Sequence, residues 1–439
     1  MSPRDWRLDV QPLRLRESQL FLFLSVIVGV LAGLAAVLFA LAIDRFSHLF
    51  FGLDPSPLRL LLVTPLVSLA AGVLLARVFP DARGSGIPQV KAAFHLHSGV
   101  ILARTTIGKF LVGALTIGAG HSLGREGPSV QIGAGLASVV GRWFQLSPAR
   151  VRSLVPVGAA GALSAAFNTP VAAVIFALEE IIGDLNAAVL GSTVIASVAS
   201  VIVARSILGN EPLFTAPQYE LVHPAELLAY AALGIVGGVL SLIFCKGLLW
   251  LRAAFKRQPP RTRVFHPAVG GVVIGVLLIL VPDLLGVGYR QVDQALNGGL
   301  MMQTMALLCI LKIGATIVSY GSGNAGGIFA PTLYIGAMAG GAIGTVMAGI
   351  APFPTGEPGA YALVGMGTLF AGIIRAPLTS VFMIFEITQD YQIIVPLMVA
   401  NMLSFAISRR YQPEAIYHAL MRQDGIPVPG SNPRVEPPA

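Results

Sequence analysis

Charge is scarce in this sequence. Only 11% of its 439 residues are Asp, Glu, Lys or Arg, where a soluble domain carries roughly a quarter. A chain so poor in charge cannot cover a globular surface against water, so most of its outer surface must meet lipid. Cysteine is rarer still: Cys245 and Cys309 are the only two, both inside apolar runs. That excludes a disulfide framework and a cysteine-built metal site. The first hydrophobic run begins near Gln19 and stays apolar without a convincing cleavage site, so no cleavable signal peptide is expected. The apolar runs also hold no Ser/His/Asp set, paired aspartates or metal-binding cluster. This argues against a membrane enzyme such as an intramembrane hydrolase, and neither a cofactor nor a metal is expected.

What is present is apolar residue, glycine and proline. Hydrophobic residues make up 55% of the chain, with 49 glycines and 30 prolines, and the mean hydropathy is +0.78. Glycine and proline are both more frequent in membrane helices than in soluble ones. About 20 apolar residues cross a bilayer as helix. Uncharged stretches of that order lie at 19–43, 153–178, 185–204, 227–245 and 313–356. The last is too long for one crossing and predicts two helices or a broken pair. The shorter runs at 127–141 and 376–385 predict helices that stop partway, which a membrane protein tolerates where the break is buried or lines a cavity. The net charge of +8 reads as cytoplasmic anchoring rather than nucleic-acid binding, because the basic residues sit between the apolar runs. Arg4, Arg7, Arg14 and Arg16, the cluster from Arg252 to Arg263, and Arg409 with Arg410 place both ends and the middle in the cytoplasm. The stretch 210–223, with Glu211 and Glu220 and no Lys or Arg, is expected outside.

The two halves resemble each other. Pro128-Ser-Val-Gln-Ile-Gly-Ala134 aligns with Pro331-Thr-Leu-Tyr-Ile-Gly-Ala337, and the run Asn168 to Glu179 aligns with the run Arg375 to Glu386, at offsets of about 203 and 207 residues. Two matches in the same order at nearly one offset indicate duplication. An odd number of crossings per half makes the repeats antiparallel, and inverted repeats with interrupted helices place a substrate site near the midplane. The expected fold is therefore all-α and polytopic, with two inverted helical repeats containing broken and partly spanning helices. The expected division is a cytoplasmic segment 1–18, a first repeat 19–209, an external linker 210–223, a second repeat 224–420 and a cytoplasmic Pro-rich tail 421–439.

Three clusters carry the chemistry: Gly84-Ser-Gly-Ile-Pro88, Gly124-Arg-Glu-Gly-Pro128 and Gly326-Gly-Ile-Phe-Ala-Pro331. Each ends in proline ahead of an apolar or small-residue run. Proline suits the first turn of a helix, where its missing N–H costs nothing, and glycine lets backbone approach a ligand closely. Each cluster therefore predicts a helix N-terminus, whose free N–H groups and dipole attract anions without a full positive charge. Such sites bind weakly enough to release, as transport requires.

These motifs, in this order, resemble the CLC chloride channel and transporter family, and the match runs from about residue 19 to 420 in the manner of prokaryotic members without C-terminal CBS domains. The resemblance implies a homodimer in the cell (inner) membrane with one anion pathway per subunit. Residue by residue, it implies that the Ser85 hydroxyl contacts the central anion; family members favouring nitrate tend to carry proline there. It implies that backbone N–H groups of Ile328 and Phe329 face the anion and that the Tyr417 hydroxyl closes the site from inside. It gives Glu126 the role of gate: ionised, its carboxylate occupies the anion site; protonated, it swings away. It gives Glu180, rather than neighbouring Glu179, the transfer of protons from the cytoplasm. Glu179 aligns with Glu386, and these two read as structural ligands of backbone at equivalent helix ends. Lys109 is expected to lend field to the pathway, supported by Gly84, Gly86, Pro88, Arg125, Gly127 and Gly327. Arg125 is also a candidate static partner for Glu126.

One departure stands out. Several bacterial exchangers follow the first motif with acidic residues, whereas this chain has Gln89 and Lys91. His95 and His97 nearby read as part of a solvated loop. With Glu126 and Glu180 both present, the expectation is chloride/proton antiport, with chloride and protons as substrates. A passive, voltage- or pH-gated chloride channel on the same fold is the rival.

Overall fold

The computed structural model describes residues 17–52, 56–185, 188–210, 213–215 and 221–428. Arg4, Arg7, Arg14, Arg16, Glu211, Glu220 and the tail beyond 428 lie outside the described residues. Within them are seventeen α-helices. The first eight are α1 (Glu17–Phe51), α2 (Pro57–Arg77), α3 (Ile87–Leu96), α4 (Ala103–Gly118), α5 (Glu126–Trp143), α6 (Pro148–Phe167), α7 (Pro170–Phe176) and α8 (Leu190–Leu208). Eight more follow in matching order: α9 (Glu226–Lys256), α10 (His266–Leu280), α11 (Tyr289–Leu296), α12 (Met302–Gly321), α13 (Phe329–Ile350), α14 (Pro358–Ile373), α15 (Pro377–Thr388) and α16 (Ile394–Tyr411). A short α17 (Ile416–Gln423) closes the series.

Lengths depart from a uniform bilayer span in both directions. α1 has 35 residues, about 50 Å of helix, and must lie well off the membrane normal to keep its apolar surface in lipid. α7 has 7 residues and α3 has 10, far too short to cross. Seven helical stretches are long and apolar enough to span, so this is a multi-pass membrane protein. The run 313–356 divides as expected, between α12 and α13. The run 153–178 corrects the expectation of one span. It breaks after Phe167, where Asn168 takes φ +59° and Thr169 precedes Pro170. Proline bars its predecessor from helical geometry, and asparagine tolerates the left-handed conformation. The second repeat breaks alike: Arg375 has φ +68° ahead of Ala376-Pro377.

Contacts follow the duplication. α1 packs on α8 and α6, and α9 packs on α16 and α14; α5 packs on α6, and α13 on α14. The last two interfaces share one device. A side chain on Gly133 would strike Gly158 O at 2.2 Å, and one on Gly336 would strike Gly365 O at 2.3 Å. Backbone contact at these crossings needs the missing Cβ.

Reciprocal contacts reveal the symmetry. Glu179 accepts hydrogen bonds from Leu378 N–H (3.2 Å), Thr379 N–H (2.8 Å) and the Thr379 hydroxyl (2.7 Å), capping α15. Glu386 accepts from Val171 N–H (2.9 Å) and Ala172 N–H (2.7 Å), capping α7. Each repeat caps the other with the same residue, the signature of a two-fold relation.

Candidate functional site

The three Gly/Pro clusters, far apart in sequence, meet at the middle of the fold. Gly124 N–H donates to Gly327 O, and Gly327 N–H donates back to Gly124 O, both at 2.7 Å. These residues are repeat equivalents, so the pseudo-two-fold axis passes between them. Gly84 N–H donates to Asn324 O (3.2 Å) and Gly326 N–H to Gly84 O (3.0 Å), which ties in the first cluster. Gly127 sits where a Cβ would lie 2.9 Å from Ser85 O and 3.3 Å from Gly327 Cα. The bonding satisfies loop backbone that would otherwise be orphaned in a lipid-surrounded core. It also aims three helix N-termini, those of α3, α5 and α13, at one region.

On the α3 side, Gly86 is the N-cap with φ +99°, and Pro88 lies in the first turn. Ser85 is buried. Its Oγ accepts from Ile87 N–H at 3.3 Å, and its own N–H donates to the Tyr320 hydroxyl at 3.4 Å. Accepting from Ile87 leaves the Ser85 O–H free to donate. The Tyr417 ring, carried by α17, is fully buried and its hydroxyl lies against the Ser85 side chain. Lys109 is fully buried and its Nζ donates to Gly84 O at 2.8 Å, so it fastens the loop that presents Ser85.

On the α13 side, Ile328 is the N-cap and both Ile328 and Phe329 are buried. The Phe329 ring packs against Phe167 and Phe370, with centroids 5.0 and 4.5 Å away. The α13 N–H in contact with a carboxylate belongs to a residue not singled out in the sequence. Ala330 N–H donates to Glu126 Oε2 at 3.3 Å. The Glu126 side chain, fully buried at the start of α5, thus reaches across to the N-terminus of α13. Its other oxygen, Oε1, accepts from the Tyr289 hydroxyl. Tyr289 carries no signal in sequence; it opens a short helix outside every motif.

Among the described residues Arg125 makes no hydrogen bond or close ion pair with Glu126, although its charge acts on the carboxylate. Its guanidinium donates to Ala166 O at 3.3 Å and lies over the Tyr289 ring, 5.3 Å from the centroid.

Glu180 sits apart, in a π-helical turn that extends α7 (Ala177–Ile182). Such turns favour functional positions because they rotate one side chain out of helical register. Here the turn sends Glu179 to α15 while Glu180 points to α3. Lys91 Nζ donates to Glu180 Oε1 at 2.7 Å, and both side chains are nearly fully buried. The departure at Lys91 is thus a direct partner for the proton-transfer candidate. His95 is not in a solvated loop: it lies in the last turn of α3, half-buried, with Nε2 3.0 Å from Ile181 O. His97 is the exposed C-cap. Gln89 Nε2 donates to Arg83 O at 3.4 Å.

Three cavities lie around this region, and one of about 220 Å³ is lined by Asp44, Arg125, Gly286, Gly288 and Tyr289. A second of about 580 Å³ is lined by Phe167, Asn168, Arg205, Phe214 and Glu386, beside the ring of Phe329. Another of about 610 Å³ is lined by Arg83, Arg252, Lys256, Arg263 and His266, with Asp424 as its acid.

Known proteins resemble this chain in sequence and fold. Residues 67–409 match the family model described as voltage gated chloride channel. A H(+)/Cl(-) exchange transporter, ClcA, of Vibrio campbellii is 33% identical over 417 residues, covering 92% of this chain and 89% of the relative. A putative chloride channel protein, ClcB-like, of Ralstonia nicotianae is 34% identical over 378 residues, 84% of this chain and 87% of the relative. Among solved structures, a slow cyanobacterial Cl-/H+ antiporter superposes with a TM-score of 0.85 at 28% identity, over 92% of this chain and 97% of its own. The sequence match over most of both chains, together with three helix N-termini brought to one buried centre, identifies this chain as a member of the voltage gated chloride channel (CLC) family.

Proposed function

We propose that this protein exchanges chloride for protons across a cell membrane, as a homodimer with one pathway in each subunit and with both termini in the cytoplasm. The observation that carries the reading is the Glu126 carboxylate, held at the N-terminus of α13 by Ala330 N–H. An ionised carboxylate there occupies the position that α13 offers to an anion, so chloride and Glu126 compete for one set of donors. Protonation removes that competition, because a neutral carboxyl gains little from the helix dipole. The side chain then leaves with its proton while chloride enters, which couples the two fluxes. Ser85 and Tyr417 supply hydroxyl donors to chloride, and the N-termini of α3 and α13 supply dipoles. None of these is a full charge, so the anion can leave again. Glu180 serves as the proton relay toward the cytoplasm, with Lys91 holding it in place.

Flux from purified protein in liposomes, followed with chloride and pH electrodes together, tests this. A chloride gradient should drive protons uphill; a chloride flux with no proton movement would establish the passive channel instead. In Glu126→Gln, which cannot ionise, chloride flux should persist and proton coupling should vanish.

A further inference from the structure

The second repeat carries a near-replica of the loop that presents Ser85. Ahead of α3, Gly84 and Gly86 have φ of +71° and +99°; ahead of α11, about 202 residues later, Gly286 and Gly288 have φ of +60° and +85°. Left-handed backbone at both glycines gives the two loops the same turn. A buried lysine fastens each. Lys109 Nζ donates to Gly84 O and Lys312 Nζ donates to Gly286 O, both at 2.8 Å. The lysines are repeat equivalents, both fully buried, and neither has a carboxylate within ion-pair distance among the described residues. The first loop delivers Ser85 to one side of the pathway. The second delivers Tyr289, the first residue of α11, to the other.

The Tyr289 ring is held on several sides. The Arg125 guanidinium lies 5.3 Å from its centroid, and Phe214 meets it edge-on at 5.5 Å. The segment carrying Phe214 is pinned to α11: Thr215 N–H donates to Asp293 Oδ1 (2.8 Å), and Asn297 Nδ2 donates to Thr215 O (2.9 Å). A ring so clamped aims its hydroxyl in one direction, and that direction is Glu126 Oε1.

We propose that Tyr289, carried by the second repeat's counterpart of the loop that presents Ser85, is the positioning residue that latches Glu126 in the place it shares with chloride. The inference rests on the gate reading of Glu126. The phenol O–H gives a charge-assisted bond to the carboxylate and a weaker one to the neutral carboxyl. It therefore steadies the closed gate selectively. Without it, the carboxylate keeps the N–H groups of Ala330 and of Glu126 itself and the nearby Arg125 charge, and chloride displaces it more readily.

Tyr289→Phe removes the hydroxyl and keeps the ring. In liposomes, the chloride concentration for half-maximal turnover should fall about tenfold, the worth of one hydrogen bond to a charged group, and fewer protons should move per chloride. In the Glu126→Gln background the same substitution should change neither the half-saturating chloride nor the uncoupled flux, because a gate without charge has no latch to lose. That double variant also reports whether the protein still folds. Unchanged half-saturation and stoichiometry in Tyr289→Phe overturn the proposal, as does an equal fold-change in both backgrounds. Retained proton coupling in Glu126→Gln would instead overturn the gate reading itself. Infrared difference spectra of the wild type between acid and alkaline pH supply an independent check. A tyrosine band should appear in the wild type and be absent from Glu126→Gln; its presence in both, or in neither, overturns the latch.

Discussion

At the scale of single residues, the site works with partial charges on one side and a buried ion pair on the other. Ser85 exemplifies the first. Its Oγ accepts from Ile87 N–H, which leaves the hydroxyl as the donor proposed for the anion. Ser85→Pro removes that donor and the Ser85 N–H bonded to Tyr320; the expected outcome is a shift of preference from chloride toward nitrate, read as relative uptake rates in liposomes. Unchanged selectivity would remove Ser85 from the anion's ligands. Lys91 and Glu180 exemplify the second. Breaking a buried pair leaves an uncompensated charge and costs several kcal/mol, while removing both charges costs far less. Lys91→Met should therefore lose about 3 kcal/mol of stability, and Lys91→Met combined with Glu180→Gln should regain most of it. Thermal unfolding in detergent measures both, and a double variant no more stable than Lys91→Met would mean the pair is not coupled.

At the scale of elements, helix ends do the positioning and helix crossings do the packing. The break at 168–169 and its counterpart at 375–376 follow from proline at position 170 and proline at position 377, so they are local events. What the resulting N-termini bond to is not local, since Glu179 and Glu386 arrive from the opposite repeat. At the crossings, Gly133→Ala and Gly336→Ala each drive a methyl group into the facing backbone. Each should cost about 2 kcal/mol, the usual scale of overpacking. Gly314→Ala is the contrast: nothing lies within 4 Å of an added Cβ, so it should be neutral or gain about 0.5 kcal/mol from helix propensity. Melting temperatures of the three variants decide this, and equal losses in all three would show that close packing is not the reason.

At the scale of the whole molecule, two antiparallel repeats close on one axis that runs between Gly124 and Gly327. Ser85, Glu126, Tyr289, Ala330 and Tyr417 gather around that axis within a single subunit. A homodimer of such subunits should transport through each independently. Liposomes holding dimers of one active and one inactive subunit should show half the flux of fully active dimers. A steeper loss would mean that the subunits share a step.

The sequence by itself determined the solvent, the repeat and the anion. Scarce charge and long apolar runs speak for lipid; glycines followed by proline speak for helix N-termini; two matched motifs at one offset speak for duplication. These signals are legible because backbone φ limits, missing N–H groups and side-chain hydropathy act within a few residues. Only the tertiary structure decided which donor meets which acceptor. Ala330 N–H meets Glu126 across 204 positions, Tyr289 reaches it across 163, and Lys91 finds Glu180 across 89. The one run at 153–178 that became two helices sits between these extremes, since Pro170 announced a break that continuous hydropathy concealed. Contacts over such separations depend on how whole helices cross, and nothing in the neighbourhood of Tyr289 or Lys91 encodes that.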